Sequence, residues 1–169
     1  MPLIVVPQAD ADALIDRAYF TEFAEKMGWD LTGKDPDKVI DPAIRRASLY
    51  MSLGWGWSGA KVGPTVLAFP RTMYDAAGVP IPTDPLPEAI RMATAYATWE
   101  EVQRPNSLMP TVRPEAPVKR KKVGSLEVEY FNAPAIVQPI ITALAPLLAG
   151  FLLVEEAADN PLVGFSYRV

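Results

Sequence analysis

Three aspartates, Asp10, Asp12 and Asp16, fall within the stretch "DADALID". Carboxylates like these are the side chains of this chain best suited to acid–base or Mg²⁺ chemistry, because it contains no histidine and no cysteine. Without those residues there is no Ser-His or Cys-His nucleophile pair, no thiolate and no ordinary zinc site. "DADALID" lacks the third oxygen ligand and the glycine of a calcium loop, so its acids read as solvated groups near a helix start. "GWGWSGAKVG", from Gly54 to Gly63, holds a lysine but not the GK[ST] ending of a phosphate-binding loop. The sequence therefore predicts no catalytic residue, no cofactor, no metal ligand and no enzyme.

The other chemically loaded stretch is "VKRKKVGSLEVEY", Val118 to Tyr130, where Lys119, Arg120, Lys121 and Lys122 stand side by side. The whole chain is acidic, with 16 Lys and Arg against 20 Asp and Glu and a net charge of -4. A free-standing binder of duplex DNA is ordinarily basic throughout its domain. Any contact with nucleic acid is thus expected to be local to this block, facing either DNA or an acidic neighbour. The same lysines could instead be a solvated edge that keeps an exposed strand from pairing. Single-strand binding needs aromatics interleaved with basic residues along a groove. Only Tyr130 and Phe131 adjoin the block, and many other aromatics recur at helical core spacing.

At 169 residues and 50% hydrophobic content, the chain is sized for one core with a peripheral arm. The absence of cysteine removes any need for an oxidising compartment. The N-terminus carries no positive n-region and no small-residue cleavage site, so no signal peptide is expected. Residues 130–154 are uncharged and long enough on paper to span a bilayer. However, Gln138, Pro139, Pro146 and Gly150 break the run, and glutamates flank it, so no membrane association is expected.

Four helical stretches position these residues. Asp16 is placed to cap "RAYFTEFAEKMG", with Tyr19, Phe20, Phe23 and Met27 on one face and Gly28 as the stop. Asp41-Pro42 reads as a cap followed by proline at the first helical position of "AIRRASLYMSL". There Ile44, Ala47 and Met51 form a stripe widened by Leu49, Tyr50 and Leu53, with Arg45 and Arg46 outward. A third helix runs from about Pro87 through "EAIRMATAYATWEEVQ", and a fourth, broken one from roughly Ile136 to Leu148. Alternation in "SLEVEY" predicts a strand, with Gly124-Ser125 turning back to "VKRKKV". The expected fold is mainly α: a small helical bundle over 1–154, one β-hairpin near 117–131, and an extended C-terminal arm over 155–169.

"AIRRASLYMSLGWGWSG", "VLAFPR", "GVPIPTDPLPEAIRMATAYA" and "VKRKKVGSLEVEY" follow one another in this order. The succession, over roughly Ala43 to Gly150, resembles the adaptor or head–tail connector proteins of tailed phages, a group labelled DnaT-like single-stranded-DNA-binding. Such sequences often carry a glutamine where this chain has Thr65 and a glutamate where it has Lys121. The resemblance implies a structural neck protein in the virion, assembled in the host cytoplasm. It would form a ring, twelvefold to match a portal, between the portal protein and the tail or tail-completion proteins. Genomic DNA would pass through its lumen. The alternative the family label carries is a single-stranded-DNA-binding module.

Trp55, Trp57, Phe69, Pro70 and Arg71 read first as loop packing against the helical core. Arg71 would pin that loop through carboxylates or carbonyls, or reach a neighbouring subunit. The apolar, β-prone end "DNPLVGFSYRV" is too short to build a core of its own. With the resemblance supplying a destination, Leu162, Val163, Phe165, Tyr167 and Val169 are expected to dock on the portal. Folding back onto their own domain is the competing expectation.

Overall fold

A computed structural model describes residues 2–75, 77–109, 120–123, 126–129 and 144–153, with the segments 120–123 and 126–129 described by their backbone. Helix α1 spans Arg17–Met27, α2 Asp41–Leu53, α3 Glu88–Gln103 and α4 Leu144–Leu148. Between α2 and α3 lie three short strands, β1 (Ala60–Lys61), β2 (Arg71–Tyr74) and β3 (Pro80–Ile81). They form an antiparallel sheet in that order. Strands β4 (Arg120–Val123) and β5 (Leu126–Glu129) form a separate antiparallel hairpin. The mainly α fold with a hairpin agrees with the sequence, while the arm over 155–169 lies outside the described residues.

Local signals fix α1 as read. The Asp16 side chain accepts from the Tyr19 N–H at 2.7 Å, and Gly28 closes the helix at φ +70°, a left-handed conformation that glycine adopts without a Cβ penalty. Phe20 and Phe23 are buried, but Met27 on the same predicted face is 43% exposed.

The start of α2 differs from expectation. One wide π-type turn, Pro36–Ile40, precedes it without a break, and Asp35 caps that turn by accepting from the Asp37 and Lys38 N–H groups. Pro42 has no N–H and its ring crowds the carbonyl four residues back. The wide turn, with the Asp41 N–H donating to Pro36 O, accommodates it. Asp41 is therefore no cap. It is 2% exposed and takes two hydrogen bonds from Arg17, at 2.8 and 2.6 Å.

Helices α2 and α3 pack along a seam of small residues: Ala43, Ala47 and Ser48 on one side, Ala93, Thr94, Ala97 and Thr98 on the other, all fully buried. The pair divides the apolar interior. On one side Phe20, Phe23, Ile40, Ile44 and Val102 pack with the rings of Trp29, Tyr96 and Trp99. On the other, Met51, Phe69, Met73, Ile90 and Leu108 pack with Leu144 and Leu148. Each of the largest buried side chains contributes roughly 1.5–3 kcal/mol. Leu53, assigned from sequence to the apolar surface of α2, is 64% exposed. Of the fourth predicted helix, Leu144–Leu148 is helical and the part before 144 lies outside the described residues. Pro146 falls in its first turn, where a missing N–H costs nothing.

Candidate assembly and nucleic-acid interface

Arg71 opens β2 and draws the loop after α2 around its guanidinium. Nε donates to Ser58 O at 2.9 Å, and Nη2 to Gly59 O at 2.7 Å and Trp57 O at 3.1 Å. Nη1 reaches Ala68 O at 3.4 Å. Thr83 Oγ1 donates to Arg71 O at 2.7 Å, tying β2 toward the chain leading into α3. The planar fork of arginine suits this convergence of carbonyls.

Around that knot the other predicted loop residues come together. The Trp57 ring meets Phe69 edge-on at 4.9 Å, and its Nε1 donates to Met51 O at 2.9 Å. Phe69 is fully buried and Trp55 is 7% exposed, while Pro70 is half-buried and joined to Phe69 by a cis peptide. Thr65 Oγ1 lies 3.2 Å from Leu67 O and 3.1 Å from Phe69 O, and the Lys61 ammonium reaches Thr65 O. Ser52 Oγ accepts from the Ala68 N–H at 3.0 Å, joining the loop to α2. Gly59 sits at φ +72° with the place of a Cβ only 1.8 Å from Thr72 O, so no other residue fits there without moving β2.

The basic block divides across the hairpin. Its register sets Arg120 opposite Glu129 and Lys122 opposite Glu127, while Lys121 stands opposite Val128 and Val123 opposite Leu126. Opposite charges at directly facing positions stabilise a ladder modestly. The register thus matches two of the four cations with carboxylates of the sister strand. Lys119 lies outside the described residues.

Elsewhere most of the cations in residues 1–109 are engaged by the body itself. Arg17 binds Asp37 and Asp41, Arg45 binds Asp12, and Arg46 binds Glu101. Arg45 and Arg46, expected to face outward, are thereby drawn along the surface into ion pairs. Lys26 pairs with Glu22, Lys38 with Asp35, Arg91 with Glu88 and Arg104 with Glu100. Burial opposes ionisation of Asp12, but hydrogen bonds from Arg45 and the Ile4 N–H, with the Arg45 charge, hold its pKa below the usual carboxylate value. Asp12, read from the sequence as a solvated acid, is thus held by Arg45 and the Ile4 N–H, while Asp16 caps α1. Among the described residues no three His, Cys, Asp or Glu are grouped to hold a metal ion, and no helix is long and apolar enough to cross a membrane.

The half-buried aromatics pack on one another. Trp29 and Trp99 stack at 4.8 Å and 6°, and Tyr96 meets Trp29 edge-on at 5.4 Å. The Arg91 guanidinium lies 3.9 Å above the Tyr19 ring. Burial and a hydrogen bond donated to Glu88 push the Tyr19 hydroxyl well above its ordinary pKa. These rings pack against α1, α3 and each other, and the Arg91 that lies over Tyr19 is itself paired with Glu88. The buried Glu101, absent from the sequence reading, accepts from Arg46, Asn106 N–H and Leu108 N–H at 2.6 to 3.0 Å. The residues expected to dock on a portal, Leu162, Val163, Phe165, Tyr167 and Val169, lie outside the described residues.

A family model described as "Putative DnaT-like ssDNA binding protein" matches residues 1–168 of the chain. No curated protein and no solved structure matches it.

Proposed function

We propose for this chain, which belongs to the DnaT-like single-stranded-DNA-binding family, a structural role that rests on the order of its motifs rather than on the family description: an adaptor in the neck of a tailed phage, forming a ring that joins the portal to the tail or its completion proteins. The structural observation that carries this reading is the disposition of charge. Residues 1–109 hold 14 carboxylates and 10 cations, and most of those cations are taken up by carboxylates or carbonyls of the same body. An acidic body of this kind offers a polyanion little counterion release. A ring that repeats a weakly basic hairpin gathers its field at one collar, so a net acidic subunit still presents DNA with a favourable lumen. The ordered motifs from Ala43 to Tyr130 support the same reading.

The family description favours a second reading, single-stranded-DNA binding by the subunit itself, and speaks for it more directly than for the neck role. In that case Lys119, Arg120, Lys121 and Lys122 would track the backbone of the strand. One pair of measurements separates the two. The neck role predicts that the protein is captured by portal-bearing heads, and that a labelled oligothymidylate binds only weakly at 150 mM salt. Replacing Lys119–Lys122 by glutamine then lowers genome retention or ring occupancy. Tight binding of the isolated subunit, with a steep salt slope that the glutamine variant flattens and no capture by heads, overturns the adaptor in favour of the binding module.

A further inference from the structure

The lobe built on β1–β3 exposes apolar surface. Val62, Val66, Tyr74 and Val79 are between 46% and 76% exposed. In β2, Thr72 and Tyr74 face outward while Met73 between them is buried. The register sets Ala60 beside Thr72 and Pro80 beside Tyr74, and directly paired residues share a face of the sheet. The outer face thus reads Ala60, Thr72, Tyr74 and Pro80, all exposed and none charged. Val66 and Val79 flank it in the connections before and after β2. The surface is held rigid from behind by the Arg71 fork, and Asp75 fixes the turn into β3 by accepting from the Ala77 and Val79 N–H groups.

Charge singles this lobe out. Residues 56–82 contain three charged side chains, Lys61, Arg71 and Asp75, and each is engaged by backbone groups of the lobe itself. The rest of residues 1–109 holds 13 carboxylates against 8 cations. We propose that the outer face of β1–β3 is a self-association surface, on which the same face of a second copy packs about a twofold axis. Two copies of an acidic chain set like charges against each other over most of their surface, and an uncharged face is where they can meet. A twofold contact joins a patch to itself, and an apolar patch is complementary to itself. A partner of another sequence would draw specificity from opposed charges, and this face presents none. Strand addition at the β3 edge is disfavoured, because Pro80 and Pro82 on either side of Ile81 have no N–H to donate. The contact is therefore made face to face. Three short strands of this kind cover on the order of 200 Å², well below the roughly 800 Å² per partner of a stable dimer. Free chains then associate weakly and reversibly. The head-to-tail contacts of a ring are a different kind of interface, so this contact stands or falls apart from the neck role.

The chain has no native cysteine, so one engineered thiol reports the contact. Thr72→Cys, on the central strand of the face, and Ala18→Cys, on the exposed side of α1, are made as full-length proteins and oxidised mildly. Thr72→Cys should form a disulfide-linked homodimer roughly tenfold faster, because the contact raises the local concentration of its partner thiol. Adding Tyr74→Asp, which sets two carboxylates against each other, should remove that advantage, and adding Tyr74→Phe should keep it. In sedimentation velocity the parent should gain mass with concentration and Tyr74→Asp should not. Matching circular dichroism guards against misfolding. Equal rates for the two thiols, or a Thr72→Cys rate indifferent to Tyr74→Asp, overturns the proposal. So does an absent homodimer together with binding to neutral phosphatidylcholine vesicles, or to portal-bearing heads, that Tyr74→Asp abolishes: the face then serves lipid or another protein.

Discussion

Arg46 on α2 and Glu101 on α3 form an ion pair in which only one partner reaches water: Nε stands 2.6 Å from Oε2, with the arginine side chain 32% exposed and the glutamate 1%. The glutamate also holds the N–H groups of Asn106 and Leu108. It therefore stops the chain after α3 and turns it back onto the core. Removing the cation leaves a buried carboxylate short of its charged partner, so Arg46→Ala should cost about 3–5 kcal/mol. Glu101→Gln, which sets an amide donor against one of the N–H groups, should cost about 1–3 kcal/mol. Urea unfolding followed by circular dichroism measures both, and losses under 1 kcal/mol would remove the pair's structural role.

Arg71→Lys tests whether geometry or charge organises the loop. A lysine retains the charge but presents three donors from a point rather than a planar fork. It cannot reach the carbonyls of Trp57, Ser58, Gly59 and Ala68 together. We expect a loss of about 2 kcal/mol, counting roughly two to three hydrogen bonds to a charged donor less those regained, and a changed near-ultraviolet signal from Trp57. An unchanged signal and midpoint would show that the loop holds without the fork.

Asp12 gives a pH signature. Its folded pKa lies below the value of a free carboxyl, near 3.8. The stability it contributes is therefore fully present above that pH and disappears as pH falls through the folded value. Asp12→Asn should be less stable than the parent by about 1 kcal/mol at pH 7, the worth of a partly exposed ion pair with hydrogen bonds. The gap should hold down to about pH 5 and close below pH 4. A gap that widens on acidification would contradict the assignment.

Deleting residues 162–169 tests the proposed portal arm. If the arm docks on the portal rather than on its own domain, the truncated chain should keep its helical signal and cooperative unfolding. Its capture by portal-bearing heads should fall at least tenfold. Normal occupancy by the truncated protein would assign the attachment to another surface.

What the sequence made legible is local. Asp16 and Gly28 mark the ends of α1 because a cap and a left-handed stop act within one turn. The alternation of Leu126 and Val128 with Glu127 and Glu129 gave the hairpin for the same reason. The sheet β1–β2–β3 escaped because two of its strands are two residues long, too short for any period. Arg71 holds the loop beside them through carbonyls 3 to 14 positions away. Asp41 was read as a cap because Asp-Pro is a strong local signal, yet Arg17, 24 positions away, claims its carboxylate. Glu101 did leave a trace. It lies seven and eleven residues after Thr94 and Ile90, on the buried stripe of α3, whereas its neighbour Glu100 does not.

The α2–α3 seam also bears on how the two helices can move against each other. Alanine has no rotamers to exchange, and the buried hydroxyls of Thr94 and Thr98 are already bonded to carbonyls of their own helix, at 2.8 Å each. Sliding one helix past the other therefore finds no alternative set of side-chain positions to settle into, and packed interfaces shift only between discrete arrangements. The two helices are therefore expected to move as one body, so that a displacement of one is carried to the other.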